Sequence, residues 1–309
     1  MLKGKIIHII SSLIFVLAFA SCQNTTTDLD TNKLTIVTTT GHIADMVRNV
    51  VGDRAEVTAL MGPGVDPHLY KASLSDLKQL SNADIVFYSG LHLEGKMGEV
   101  FHKLSRTKNV VAVSDGIPRD QLLLADSTNH IPDPHIWFDV TLWRFCLQKV
   151  KETLIKNNPN DSLFLSRNAA AYDMALADLN EQVTKDIASI PEKQRVLVTA
   201  HDAFGYFGKR YHMEVLGLQG ISTLSEYGLS EITTLTKFLV SRNIRSVFVE
   251  TSVSEKAINS VIEGCKQKGH EIKIGGSLYS DALGAVGTPE GTYIGMFKAN
   301  VGLIKKGLK

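Results

Sequence analysis

The sequence predicts an α/β protein with two lobes, each a parallel sheet flanked by helices, joined by one long rigid linking helix. Short runs rich in valine, isoleucine and leucine alternate with helical patterns through both halves of the chain. Such continuous apolar runs are typical of parallel strands that helices cover on both faces. One long helical pattern lies between the halves, and 309 residues suffice for two domains with hydrophobic cores.

Four β-rich runs predict the strands of an N-terminal lobe, residues 34–160. They are "LTIVTTT" (34–40), "AEVTAL" (55–60), "ADIVFYS" (83–89) and "NVVAVS" (109–114). Helical or loop material follows each run, which is the order of βαβ units. A C-terminal lobe, residues 191–309, is predicted in the same way from "RVLVTA" (195–200), "SVFVET" (246–251) and "EIKIGG" (271–276).

Residues 161–190 predict the linking helix. The segment contains neither glycine nor proline, follows the turn "NNPND" and stops at Pro191. At 1.5 Å per residue, a helix of this length spans about 45 Å, which is enough to run along both lobes. The alternative is a long packing helix that belongs to one lobe only.

The charge of the chain argues against a nucleic-acid partner. The 33 lysine and arginine residues nearly balance the 32 acidic residues, for a formal net charge of +1, and the basic residues are scattered. Binding to phosphates requires a concentrated basic face. With 44% apolar and 21% charged residues, the composition is that of a globular protein.

Residues 1–21 predict a secretory signal peptide. Lys3 and Lys5 precede an apolar run that ends in the small residues Ala20 and Ser21. A basic start, an apolar stretch and a small-residue cleavage site are the three parts of such a signal. The run is short for a transmembrane helix, and the alternative is an uncleaved N-terminal anchor.

Cys22 is the candidate lipidation site. The sequence "FASC" resembles the lipobox of bacterial lipoproteins, in which the cysteine is acylated, although Phe19 stands where leucine is usual. The polar residues 22–33 then form a lipidated flexible tether. Cys146 and Cys265 lie in amphipathic helical patterns, as buried free thiols or as a disulfide. The three cysteines lack the paired spacing of a thiolate zinc site.

Three histidines lie where chemistry is expected in a parallel sheet. His68 ("VDPHLY") and His201 ("VTAHDAFGYF") come shortly after predicted strands, and His135 ("IPDPHIWFD") precedes a helix that starts near Asp139. Asp281 ("SLYSDALG") again follows a predicted strand. In open parallel sheets, ligands bind outside the carboxyl ends of the strands.

The tripeptide Asp-Pro-His occurs twice, at 66–68 and 133–135. Each proline fixes φ ahead of the histidine and restricts the aspartate before it, so the imidazole is held in one orientation at a lower entropic cost. Each aspartate serves as a turn former or as a hydrogen-bond acceptor behind the histidine. Trp137 and Phe138 add an apolar wall that excludes water.

Three imidazoles and one carboxylate suit a borderline divalent cation, zinc above all. The four residues are far apart in the sequence, so spacing alone leaves open whether they converge. His42 is expected to help form the turn that opens a helix. Three further histidines are expected at the surface or as satisfied core residues: His102, His212 and His270.

Six motifs follow one another as they do in a known family: "DPHLY", "DPHIWFD", "VTAHDAFGYF", "GLQGIST", "VFVE" and "SLYSDALG". On these motifs the chain resembles the metal-binding solute receptors of ABC importers, the TroA-like or cluster A-I group for zinc and manganese. The resemblance implies a bilobed receptor with the metal between its lobes. It also implies the ligands: His68 and His135 from the N-terminal lobe, and His201 and Asp281 from the C-terminal lobe.

The function implied by the resemblance is that of an extracytoplasmic substrate-binding lipoprotein, which delivers a divalent metal to the membrane permease of an ABC importer. The cargo is Zn²⁺ or Mn²⁺, no organic cofactor is expected, and the chain is a monomer that a lipid anchor holds in the bacterial cell envelope. Zinc-dedicated relatives often carry a His- and acid-rich loop before the second ligand, which this chain lacks. Many manganese-dedicated relatives have glutamate where this chain has His201, and nitrogen-rich ligation favours zinc.

Two other functions stay open on the residues alone. A metal-dependent hydrolase would use Glu226 or Glu250 as its base beside "VTAHDAF". Against it, the sequence has no HExxH helix, no G-x-S-x-G elbow and no glycine-rich phosphate loop. The second alternative is a surface adhesin, for which no residue pattern argues.

Overall fold

Two four-stranded parallel sheets lie in the part of the chain that the computed structural model describes, residues 33–126, 128, 130–225 and 227–309. The first contains β1 (Leu34–Thr38), β2 (Ala55–Ala59), β3 (Ile85–Tyr88) and β4 (Asn109–Ala112), in the order β2-β1-β3-β4. A short antiparallel pair follows, β5 (Leu124–Asp126) with β6 (Ile131–Pro132). The second sheet contains β7 (Val196–His201), β8 (Glu214–Gln219), β9 (Ser246–Glu250) and β10 (Lys273–Leu278), in the order β10-β9-β7-β8.

Helices alternate with these strands. They are α1 (Gly41–Val51), α2 (Leu74–Asn82), α3 (Gly98–Leu104), α4 (Val140–Asn157), α5 (Ser162–Ala188), α6 (Gly205–Tyr211), α7 (Leu229–Ser241), α8 (Lys256–Gln267) and α9 (Tyr293–Leu308). Neighbouring strands are parallel throughout both large sheets. The predicted fold class is therefore confirmed. Within the described ranges, no helix has both the length and the apolar character needed to cross a bilayer.

The long helix α5 connects the two halves. Its 27 residues begin one position later and end two positions earlier than the predicted 161–190. The helix α5 packs on α1 and α4 in the first half. It packs on α6 and α9 in the second half. The helix therefore runs along both sheets rather than belonging to one of them. Its buried residues recur every three or four positions: Leu165, Ala169, Tyr172, Leu176, Leu179, Val183 and Ile187.

A single apolar core extends from one half into the other. The largest cluster of buried residues includes Ile36 of β1, Trp143 of α4, Leu197 of β7, Phe248 of β9 and Phe297 of α9. Residues 34–309 accordingly form one compact unit. The two lobes are separate as sheets, but they share the apolar packing that stabilises them.

Helices also cover the second face of each sheet, and alternate strand residues pack against them. In β1, Ile36 joins the shared core, whereas Val37 faces a second cluster with residues of α2 and α3. In β7, Leu197 joins the shared core, whereas Val198 faces a third cluster with residues of α7 and α8. Side chains of successive strand residues point to opposite faces, so both sheets are covered on both sides.

The strand β8 was missed by the sequence analysis, which predicted three strands in the second half. Its sequence, EVLGLQ, carries a glycine in the middle, and an interior glycine weakens a strand pattern. The glycine is required by close packing, because a Cβ on Gly217 would lie 2.4 Å from the Cα of Asp202. The close approach brings β8 against the end of β7, where His201 lies.

Two of the three cysteines lie within the described residues. Cys146 of α4 and Cys265 of α8 are both buried and free, so they form no disulfide. The predicted signal peptide (1–21) and Cys22 lie outside the described residues. Of the predicted tether 22–33, only Lys33 is described.

We expect Tyr172→Phe to lower the free energy of unfolding by about 2 kcal/mol. The Tyr172 hydroxyl of α5 donates a hydrogen bond of 3.0 Å to Asp45 Oδ2 of α1, and the backbone N–H of Tyr293 donates to the same oxygen at 3.1 Å. The variant leaves this buried carboxylate with one donor fewer. Chemical denaturation of the wild type and the variant measures the difference.

Tyr88→Phe is the matched control for Tyr172→Phe, because the Tyr88 hydroxyl forms no hydrogen bond with a described residue. Its ring stacks on Phe101 at 4.5 Å, and the phenylalanine keeps that contact. Equal losses of stability in the two variants would mean that the bond from the linking helix to Asp45 contributes nothing.

Candidate metal centre

Three histidines and one aspartate converge in one buried cluster: His68, His135, His201 and Asp281. One donor atom from each side chain lies within 4.8 Å of the donor atoms of the other three. Their exposed fractions are 2%, 0%, 0% and 1% in that order. The structure thus brings together all four residues that the sequence analysis singled out as candidate ligands.

The spacing of the donor atoms suits a small cation. His68 Nε2 lies 3.3 Å from His135 Nε2, and His135 Nε2 lies 3.5 Å from Asp281 Oδ1. Asp281 Oδ2 lies 3.9 Å from His68 Nε2 and 3.9 Å from His201 Nδ1. A tetrahedral zinc ion with bonds of about 2.1 Å places neighbouring donors about 3.4 Å apart.

The carboxyl ends of parallel strands deliver three of the four side chains, and a turn before α4 delivers His135. His68 lies in the loop after β2, His201 is the last residue of β7, and Asp281 lies in the loop after β10. His135 directly precedes a 3₁₀ turn, Ile136–Phe138, which leads into α4. The site therefore lies at the edges of the sheets where parallel-strand proteins bind their ligands.

The two Asp-Pro-His tripeptides form the same turn but differ in what else the aspartate binds. The backbone N–H of His68 donates to Asp66 Oδ1 at 2.8 Å, and that of His135 donates to Asp133 Oδ1 at 2.9 Å. Asp133 Oδ1 also lies 2.7 Å from His135 Nδ1, which leaves Nε2 of His135 facing the cluster. Asp66 instead accepts a hydrogen bond of 2.6 Å from Thr223 of the second half.

Glu250 binds both the backbone and the ring of His201. Its Oε1 accepts the backbone N–H of His201 at 2.7 Å, and its Oε2 lies 3.1 Å from His201 Nδ1. The other ring nitrogen, Nε2, lies 3.0 Å from the carbonyl oxygen of Ile221. Glu250 is thus a buried partner of the imidazole, and Glu226, the other acid considered as a hydrolytic base, lies outside the described residues.

Asp281 has no hydrogen-bond partner for its side chain. Both carboxylate oxygens are buried, and no described residue donates a hydrogen bond to either of them. Buried polar groups in folded proteins are almost always paired, and an unpaired buried charge is costly. A carboxylate without a hydrogen-bond donor, beside three imidazoles, is a set of ligands that suits a metal cation.

Charge and burial move the pKa values of the four groups in different directions. Burial lowers the pKa of His68 to about 4. Burial also opposes the charged forms of His135 and His201, but Asp133 with Asp281 raises the pKa of His135 to about 10. Asp281 and Glu250 raise the pKa of His201 to about 9.

The same charges act on the carboxylate. Burial alone would raise the pKa of Asp281, but the imidazoles of the cluster, His201 first, hold it well below its usual range. At neutral pH the metal-free cluster therefore contains one carboxylate, two imidazolium rings and one neutral imidazole.

Among the other histidines, the structure agrees with the sequence analysis except at His42. His102 and His212 are exposed, and His270 Nε2 lies 2.6 Å from the carbonyl oxygen of Ile244. His42, expected to help form a turn, is 1% exposed, and neither of its ring nitrogens has a hydrogen-bond partner among the described residues. Its ring stacks on Trp137 at 5.1 Å, and its position directly after β1 was the available signal.

Comparisons with known proteins identify the family of the chain. The family described as ZnuA, zinc-uptake complex component A, periplasmic, matches residues 36–307. The manganese-binding lipoprotein MntA of Bacillus subtilis is 50% identical over 277 residues, which are 90% of each chain. The zinc-binding protein TroA of Treponema pallidum is 45% identical over 272 residues, or 88% of each chain.

At least one solved structure has the same fold as this chain. The periplasmic zinc-binding protein TroA from Treponema pallidum superposes with a TM-score of 0.87 at 44% identity, covering 89% of this chain and 99% of that one. These relatives are metal-binding proteins rather than enzymes, and neither the hydrolase nor the adhesin alternative is supported. The resemblance to TroA-like receptors is confirmed, and the chain belongs to the ZnuA family of metal-binding components of ABC importers.

Proposed function

We propose that the chain is an extracytoplasmic receptor, which captures a divalent transition metal between its two halves and delivers it to the membrane permease of an ABC importer. The observation that carries the proposal is the buried His₃Asp cluster, in which both Asp281 oxygens lack a protein partner. With lobes at 34–160 and 191–309 and the linker at 161–190, each lobe supplies two ligands. Binding then draws the lobes together, and the rigid linking helix limits the motion.

Capture rather than catalysis follows from the number of donors. Four protein ligands fill the coordination sphere of a tetrahedral zinc ion and leave no position for a reactive water. Glu250, which a hydrolase would need as a base, is committed to His201. The metal is therefore cargo and not a catalyst.

Zinc is the favoured cargo. Three imidazole nitrogens suit zinc, and zinc ranks above manganese in its affinity for such donors. Manganese remains the second candidate, because Asp281 has two free oxygens and binding through both would meet its preference for more ligands. The two relatives are named for different metals: MntA of Bacillus subtilis is called manganese-binding, and TroA of Treponema pallidum is called zinc-binding.

The location follows from the N-terminal sequence and the relatives. MntA of Bacillus subtilis and PsaA of Streptococcus pneumoniae are named lipoproteins. Removal of the signal 1–21 and acylation of Cys22 would leave residues 22–33 as a tether between the membrane and the folded monomer. Several acyl chains are needed for durable anchoring.

We expect His68→Ala and Asp281→Ala each to weaken zinc binding by at least about 100-fold, because each removes one of four ligands. His102→Ala, an exposed histidine outside the cluster, should bind like the wild type. Competition with a chromophoric chelator measures the three affinities. Comparable losses in all three variants would contradict the ligand assignment.

Metal loading should release about two protons at pH 7. The pKa of His135 is raised to about 10 and that of His201 to about 9, so both rings are protonated in the metal-free site. A cation requires both rings to be neutral, and affinity therefore falls as the pH drops through about 10 and falls more steeply below about 9. Calorimetric titration in two buffers of different ionisation enthalpy counts the protons, and identical heats in both would contradict this charge state.

Zinc should displace manganese from the site. The expected order follows the general affinity of nitrogen ligands for divalent metals. The measurement is elemental analysis of the purified protein, followed by competitive titration with the two ions at equal concentration. Retention of manganese against equimolar zinc would reverse the proposed preference.

A further inference from the structure

We infer that Trp137, in the first half, is a positioning residue for the metal site, which holds Asp281 of the second half in place. Its indole Nε1–H donates a hydrogen bond of 3.0 Å to the carbonyl oxygen of Ser280, the residue directly before Asp281. Both partners are buried. The inference rests on the proposed function, because it assigns a residue that prepares the same site for its metal.

Asp281 depends on its backbone for its orientation. Hydrogen bonds to carboxylates fix the imidazoles of His135 and His201, through Asp133 and Glu250 respectively. The Asp281 side chain has no such partner, since neither oxygen accepts a hydrogen bond from the described residues. The imidazoles of His135 and His201 lie 3.5 and 3.9 Å from its oxygens, and the hydrogen bonds of residues 279–281 hold the backbone from which the carboxylate projects.

The anchors of that segment come from both halves. Asn300 of α9 brackets Tyr279, because Tyr279 N–H donates to Asn300 Oδ1 at 2.9 Å and Asn300 Nδ2 donates to the Tyr279 carbonyl at 2.7 Å. The Ser280 hydroxyl lies 2.9 Å from that of Ser252. These partners belong to the second half. Among the described residues, Trp137 supplies the hydrogen bond to this segment's backbone from the first half.

Trp137 is itself held rigidly. It lies two residues after His135, and the two rings meet edge to face at 5.2 Å. His42 stacks on the indole at 5.1 Å, and the Tyr293 hydroxyl donates a hydrogen bond of 2.6 Å to the Trp137 carbonyl. The indole therefore links a ligand of the first half to the backbone beside Asp281 at a fixed distance.

Loss of the indole N–H leaves the Ser280 carbonyl buried without its donor, and a buried acceptor without a partner is unfavourable. The segment relaxes, and the carboxylate is no longer prepared for the cation. Zinc should then dissociate about tenfold faster. The coordination geometry should change as well, because the freed carboxylate meets the metal from another direction.

The second of the chain's two tryptophans is a matched control. Trp143 is also buried, but its Nε1–H has no hydrogen-bond partner among the described residues. Trp137→Phe and Trp143→Phe make the same change of side chain, and both positions are close to Tyr293. Only the first removes a hydrogen bond to the segment of Asp281.

The experiment compares the wild type, Trp137→Phe and Trp143→Phe in three measurements: the rate of zinc release to a chelator, the visible absorption spectrum of the cobalt-loaded protein, and the melting temperature without metal. We expect faster release and an altered cobalt spectrum in Trp137→Phe alone. A structural role would lower the melting temperature without changing the cobalt spectrum.

A further variant distinguishes the effect of losing the hydrogen bond from the effect of changing the packing. In the Trp143→Phe background, replacement of Trp137 by benzothienylalanine keeps the ring shape and substitutes sulfur for the N–H. This protein should release zinc as fast as Trp137→Phe does. Wild-type release from it, or equal acceleration in Trp137→Phe and Trp143→Phe, would overturn the inference and leave the proposed function intact. A wild-type protein that binds none of zinc, cobalt and manganese would instead refute the proposed function.

Discussion

The buried charge of Asp281 is the constraint on which the rest of the site depends. Its two oxygens are shielded from water and accept no hydrogen bond from the described residues, and an isolated buried anion is costly. Positive charge must accompany it in every state. In the metal-free state the rings of His135 and His201 supply that charge, and in the proposed loaded state the cation does. Binding is then an exchange of protons for metal around one fixed negative charge.

The fold makes this arrangement possible by bringing strand ends together. His68, His201 and Asp281 follow parallel strands, which present their carboxyl ends at the same edge of each sheet, and the turn before α4 adds His135. The shared core and the helix α5 then hold the two edges against each other. Hydrogen bonds between the halves, from Thr223 to Asp66 and from Trp137 to Ser280, add directional contacts close to the ligands.

Much of the fold could be predicted from the sequence, because strand periodicity and turn chemistry are local, and the same patterns singled out the four candidate ligands. Their wide spacing left open whether they converge, and a shared site was expected only from the resemblance to TroA-like receptors. The strand β8 escaped because Gly217 interrupts its pattern, although tertiary packing requires that glycine. The burial of His42 and the pairing of Glu250 with His201 also escaped. Those features depend on which distant residues meet, and neither periodicity nor residue type encodes that locally.

The continuous core has a consequence for the use of this chain as an optical metal sensor. Sensors built on hinged receptors rely on a large change in the distance between fluorophores on the two lobes. Here one apolar cluster extends through both halves, so such a pair would report little. The surface segment after β8 offers a better position, because Ile221 contacts His201 and Leu224 is half exposed. A single environment-sensitive dye attached there would report occupancy even though the lobes move only slightly.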